Sequence, residues 1–148
     1  MKLIIGYFLA LLTTYTLGAI FVSQGNIAAV TQLGYEVSIG QRLYAMGHDV
    51  SNMHDLYLPL VAAALAVALP VAFGISYFRP ALRRVGYVAA GCAGMIALHL
   101  IMKAVVDISG VAPTRVMAGL LLQGLAGAVG GLVFYAVNYQ LFPPPKQA

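Results

Sequence analysis

The order of apolar and polar residues divides the chain into four long apolar runs and one mixed insertion. Leu3 to Val22, Leu56 to Phe78, Val85 to Ile108 and Val116 to about Leu141 each reach the length of roughly 20 residues that a helix needs to cross hydrocarbon. They predict an all-α integral membrane protein with four transmembrane helices, at about 3–22, 56–78, 85–108 and 116–141, in an antiparallel bundle. The four occupy most of the chain, so residues 1–148 form a single domain.

The insertion, residues 23–55, mixes two periods. "YEVSIG" alternates as a strand does, whereas "NIAAVTQL" and "QRLYAMG" space their apolar residues as a helix does. Ile27, Val30, Leu33, Val37, Ile39 and Leu43 are too frequent for a free loop. One or two short helices on the outer membrane surface are expected, with a hairpin as the alternative. Residues 79–84 predict a tight cytoplasmic turn.

Inside the runs, small residues recur at intervals of four. The first carries Gly6, Ala10, Thr14 and Gly18; the second carries Ala62 and Ala66, then Ala64, Ala68 and Ala72. The fourth carries Arg115, Gly119, Gln123, Gly127 and Gly131. Lipid supplies little hydrophobic drive between helices, so close approach through small residues is what packs them. Each step of four turns about 40° around a helix, which makes these rows slowly rotating seams. Pro59 falls in a first turn, where proline is tolerated; Pro70 is interior and predicts a kink.

Composition strengthens this reading. The chain is 61% hydrophobic and 8% charged, against about 25% charged in ordinary soluble domains. The net charge of +4 does not point to nucleic acid, because no basic cluster interleaves with aromatic residues. It reads instead as a topology signal. Lys2, Arg79, Arg83, Arg84 and Lys146 fall on one side of the expected membrane, while Glu36, Asp49, Asp55 and Asp107 fall on the other. Basic residues collect in cytoplasmic loops, so both termini are expected in the cytoplasm, at a bacterial inner membrane. Tyr15, Tyr44 and Tyr57 suit the aromatic belt of the outer interface. The opening "MKLIIGYFLALLTTYTLGAIF" begins as a signal peptide does but lacks a good small-x-small cleavage site, and is expected to be retained. Cys92 is the single cysteine, so neither an intrachain disulfide nor a CxxC motif is available.

Candidate chemistry concentrates in "ALHLIMKAVVD". His99, Lys103 and Asp107 cover about 80° of one helix face. Ions in hydrocarbon are costly, which directs such groups toward the protein interior. Arg115 and Gln123, on the fourth run, are expected at matching depths. These five residues are candidates for a ligand site or proton relay open to the outer face; helix-end pairing and snorkelling are the structural alternative. A second cluster, "MGHDVSNMHDLY", offers His48, Asp49, His54, Asp55, Met46 and Met53 as possible metal ligands. Its spacing fits no standard metal motif, and Asp55 is equally placed to cap the next helix. Were the insertion to fold inward, His48 or His54 with His99 would make a haem or quinone site.

GxSxG, HExxH, P-loop and GxGxxG patterns are all absent, so an enzyme is not expected. The sequence favours a small non-enzymatic membrane protein that packs through Gly and Ala seams, as a subunit of a larger membrane complex or as a homo-oligomer. Transport or sensing of a small ligand, proton or metal through the polar cluster is the alternative, and a quinone- or haem-binding redox subunit the second.

Overall fold

The computed structural model describes residues 1–106 and 117–138, all of whose regular elements are helical. The elements are α1 (Lys2–Gln32), α2 (Ile39–Asn52), α3 (Tyr57–Phe78), α4 (Arg83–Val106) and α5 (Met117–Asn138), with one 3₁₀ turn, Pro80–Leu82, between α3 and α4. Four helices, α1, α3, α4 and α5, are long and apolar enough to cross a membrane.

The first helix differs from expectation. It continues ten residues past Val22, through the polar "SQGNIAAVTQ", and its 31 residues span about 46 Å. Buried Val22, Ser23 and Ile27 keep that extension packed. Gly34, at φ 91°, then turns the chain in a backbone conformation that residues with a Cβ rarely adopt. The strand-like "YEVSIG" forms no strand. Its Ser38 instead starts α2 through a capping box: the Ser38 hydroxyl accepts from Gln41 N at 3.3 Å, and the Gln41 side chain accepts from Ser38 N at 2.8 Å. No residue of α2 is buried. The helix is tied to α1 by Arg42, which donates to Gln24 Oε1 at 3.2 Å, and by the Tyr15 hydroxyl, which donates to the Val50 carbonyl at 2.6 Å.

The packing order follows the small residues. α5 makes the two largest interfaces, with α4 and α1; α3 rests on α4 and only lightly on α1. Where α4 meets α5, a Cβ on Gly91 would run into the Gly127 carbonyl, and one on Gly131 into the Tyr87 carbonyl. These backbones touch because Gly91, Gly127 and Gly131 carry no side chain at the contact. On the α1 side, a Cβ on Gly130 would strike Thr14 and come within 3.0 Å of the Ala10 carbonyl. A Cβ on Gly6 would strike Asn138. The rows from Gly6 to Gly18 and from Gln123 to Gly131 are therefore filled from within the chain. Gly119 is buried as well. Between these contacts lies an apolar core that includes Leu11, Val61, Leu65, Met95 and Phe134.

Candidate functional site

The buried polar cluster forms where four helices converge on Gln123, which is 1% exposed. Tyr57, the first residue of α3, is 4% exposed, and its hydroxyl donates to Gln123 Oε1 at 2.6 Å. Gln123 Nε2 donates to the Gly18 carbonyl of α1 at 3.1 Å. One amide thus joins α5 to α3 and α1. Gly18 is required at this point, since a Cβ there would collide with the Tyr57 hydroxyl and stand 3.0 Å from Gln123 Oε1.

His99 of α4 completes the cluster at 5% exposed, its ring tilted 30° from that of Tyr57 at a centroid distance of 6.3 Å. Tyr15 packs against Tyr57 as well, at 5.9 Å. The bonds around Gln123 tie three helices together, and the His99 side chain interacts with that same amide, although its Nε2 has no partner of good hydrogen-bond geometry among the described residues. A buried polar atom left in this state costs about 1–3 kcal/mol, so it is a feature to be explained by use or by strain.

Of the five relay candidates, the structure brings His99 and Gln123 into this cluster. Lys103 does not join them: it is exposed, in the last turn of α4. One step of four carries it about 40° around the helix, and a long cationic side chain near a helix end is stable on the outside. Asp107 and Arg115 lie outside the described residues. Tyr15 and Tyr57 do not sit in an outward-facing aromatic belt; both are buried. No local sequence signal separates a belt tyrosine from one that reaches inward to a residue 66 positions away.

The second cluster stays at the surface. His48 and Asp49 pair at 3.4 Å, His54 and Asp55 at 3.0 Å, with both histidine side chains more than half exposed. His54 Nδ1 also lies 2.8 Å from the Ser51 carbonyl. Among the described residues no three His, Cys, Asp or Glu side chains gather as a metal cluster. The aromatic neighbour of His99 is Tyr57, while His48 lies near Tyr44, so the haem arrangement with opposed imidazoles gains no geometric support. Asp55 is not a helix cap: α3 is preceded by Leu56, makes no side-chain cap bond, and is entered through Tyr57 N donating to the Met53 carbonyl at 3.0 Å. Met53 instead joins Asn52, Asp55, Tyr57 and Met102 around a pocket of about 200 Å³ beside the start of α3.

Two larger openings flank α3. One is a groove of about 430 Å³ on the α3–α4 side, lined by Ala63, Ala64, Val67, Ala93, Gly94 and Ala97 among others. The other is an apolar cleft of about 460 Å³ between α1 and α3. No family model, curated protein or solved structure is significantly similar to this chain.

Proposed function

We propose that this chain is a small, non-enzymatic membrane protein that docks on another transmembrane helix, from a larger complex or from a second copy of itself, through the α3–α4 groove. In this reading α1, α3, α4 and α5 cross a bacterial inner membrane as an antiparallel bundle with cytoplasmic termini. The carrying observation is that groove: its alanines and glycine form a shallow channel with no described helix of this chain in it, whereas the glycine seams of α1 and α5 are already filled. Small residues at such a surface allow a second helix to approach closely, which is the main source of helix association in lipid. The partner chemistry that fits is an apolar helix with its own bulky side chains, seated between Ala64 and Ala97.

The bonds from Gln123 to Tyr57 and Gly18 support a structural role for most of the polar cluster. A second reading, proton or ligand sensing at His99, is favoured by one observation, the unpartnered Nε2. Native electrophoresis of the full-length chain in mild detergent tests the first reading. Wild type should migrate as an assembly, and Ala93→Trp, which fills the groove from its α4 wall, should release the single chain. A wild type that migrates as one chain from native membranes rejects it.

A further inference from the structure

Helix α2 leaves part of its apolar face uncovered. Ile39, Leu43, Met46, Val50 and Met53 follow one another at spacings of 4, 3, 4 and 3 residues, the repeat of a seam that receives another helix. At the inner end of this stripe Val50 and Met53 pack on the bundle core. Further out the cover is lost among the described residues: Leu43 is 59% exposed and Ile39 77%. α1 does not reach them, because it meets α2 about 60° round the helix, along the half-buried Arg42, Ala45 and Asp49. On the far flank of the stripe stand Gly40 and Gly47, one heptad apart. Glycine weakens a helix relative to alanine, and nothing inside the chain calls for it here. Neither residue has a positive φ, a Cβ on Gly47 would meet nothing within 4 Å, and one on Gly40 only the Ser38 hydroxyl at 3.9 Å. Both glycines thin this flank for a backbone that comes from outside the chain.

Height and charge select the occupant. Arg42 bonds to Gln24, six residues along α1 from Gly18 and so about 9 Å beyond the level at which Gly18 meets Tyr57, the first residue of α3. The 22 residues of α3 already match the hydrocarbon thickness of about 30 Å. Leu43 and Ile39 therefore stand outside the hydrocarbon, where an exposed apolar stripe marks a protein contact. Arg42 and Asp49 lie on the α1 side of α2, and His48, behind them, pairs with Asp49. The stripe and its glycine flank thus carry no charge. A second copy in the same membrane presents this face at the same height and in the same direction. A two-fold axis along the membrane normal then sets the two Leu43 side chains together with no like charges opposed.

We infer that α2 pairs with α2 of a second copy of this chain outside the membrane, side by side and in the same direction, through Ile39, Leu43 and Met46, with Gly40 and Gly47 admitting the opposing backbone. The inference rests on the membrane insertion proposed above but not on the α3–α4 contact. One open heptad is too short to hold two chains through electrophoresis, so the pairing is read in native membranes. The test is oxidative disulfide crosslinking of the full-length chain, with Cys92→Ala removing the native thiol. Leu43→Cys and Ile39→Cys should each give a species of twice the chain mass. Their yield should exceed that of His48→Cys, on the opposite face of the same helix, at least about tenfold, a difference of about 1.4 kcal/mol. Gly47→Lys should lower the Leu43→Cys yield several-fold with helix content unchanged by circular dichroism, because within the chain its side chain meets open space. Equal yields at Leu43 and His48 would be random collision and overturn the inference. So does the absence of a dimer at both seam positions, whether lipid, another protein or water then covers the face. A yield that Gly47→Lys leaves unchanged also overturns it; should that variant fail to fold, the comparison of Leu43→Cys with His48→Cys decides alone. A chain that does not enter membranes defeats this inference and the proposed function together; one that enters and gives no seam dimer defeats this inference alone.

Discussion

Helices α5 and α3 are equal in length at 22 residues and similar in apolar character, yet their surroundings differ sharply. α5 is closed on both sides. Its glycines let the α4 backbone touch at Gly91 and Tyr87, and let α1 touch at Ala10 and Thr14. α3 is closed on one narrow line, where a Cβ built on Gly94 would stand 2.9 Å from that of Ala68, and open on either side of it. Glycine brings two backbones into contact and leaves no room beside them. Alanine, proline and ring side chains hold neighbours further off and leave grooves. Under the function proposed above, the difference separates a scaffold from a docking surface within one chain: α5 is packed against two neighbours, and α3 leaves open grooves on either side.

Substitutions should break this contrast in a graded way. The largest effect is expected from Gly127→Leu, because the obstacle it meets is the Gly91 backbone and no rotamer change can relieve it. Overpacking ordinarily costs about 1–3 kcal/mol, and a backbone obstacle places this variant at or above the top of that range. Thermal unfolding in detergent should show it, with Val67→Leu on the open side of α3 nearly silent as the control.

Next comes the amide that links three helices. Gln123→Leu removes the partners of the Tyr57 hydroxyl and the Gly18 carbonyl, at a cost of about 1–2 kcal/mol, the range for interhelical hydrogen bonds in membranes. A cycle with Tyr57→Phe should be non-additive, because the double variant no longer strands the hydroxyl. Additive losses would mean the 2.6 Å bond contributes nothing.

His99→Leu should be neutral or stabilising, by at most about 1–3 kcal/mol, since it removes a buried ring nitrogen that has no hydrogen-bond partner. Its use is diagnostic: normal unfolding with loss of a cellular phenotype supports sensing at His99, and normal unfolding with full complementation leaves docking as the function. The smallest effect is expected at Asp55→Ala. The carboxylate is 88% exposed and caps nothing, so the change should stay within about 0.5 kcal/mol by the same unfolding measurement.

Much of this architecture is legible in the sequence, for physical reasons that also explain what is not. Four apolar runs announce four long helices because hydrocarbon-length stretches have few alternatives. The Gly6–Gly18 and Gly127–Gly131 rows are readable as packing surfaces, but not which neighbour fills them; Gly130, one residue off the row, serves α1 while Gly127 and Gly131 serve α4. The overrun of α1 to Gln32 escapes a reading by hydropathy because "SQGNIAAVTQ" looks like an exit from lipid, and lipid exit does not end a helix. Gln123 and His99 are identifiable as rare polar groups in apolar runs. Their link through Tyr57 is not, since a hydrogen bond across 66 residues leaves no periodic trace. Lys103 shares a helix face with His99 in projection, yet the interior ends before it does.

Site-specific photocrosslinking in native membranes tests the central contrast most directly, with the reactive group placed at Ala97 in the α3–α4 groove and, separately, at Leu125 on the exposed side of α5. Ala97 should give a discrete protein adduct, another subunit or a second copy, and Leu125 lipid adducts alone. A protein adduct from Leu125 with only lipid at Ala97 would contradict the division between scaffold and docking surface.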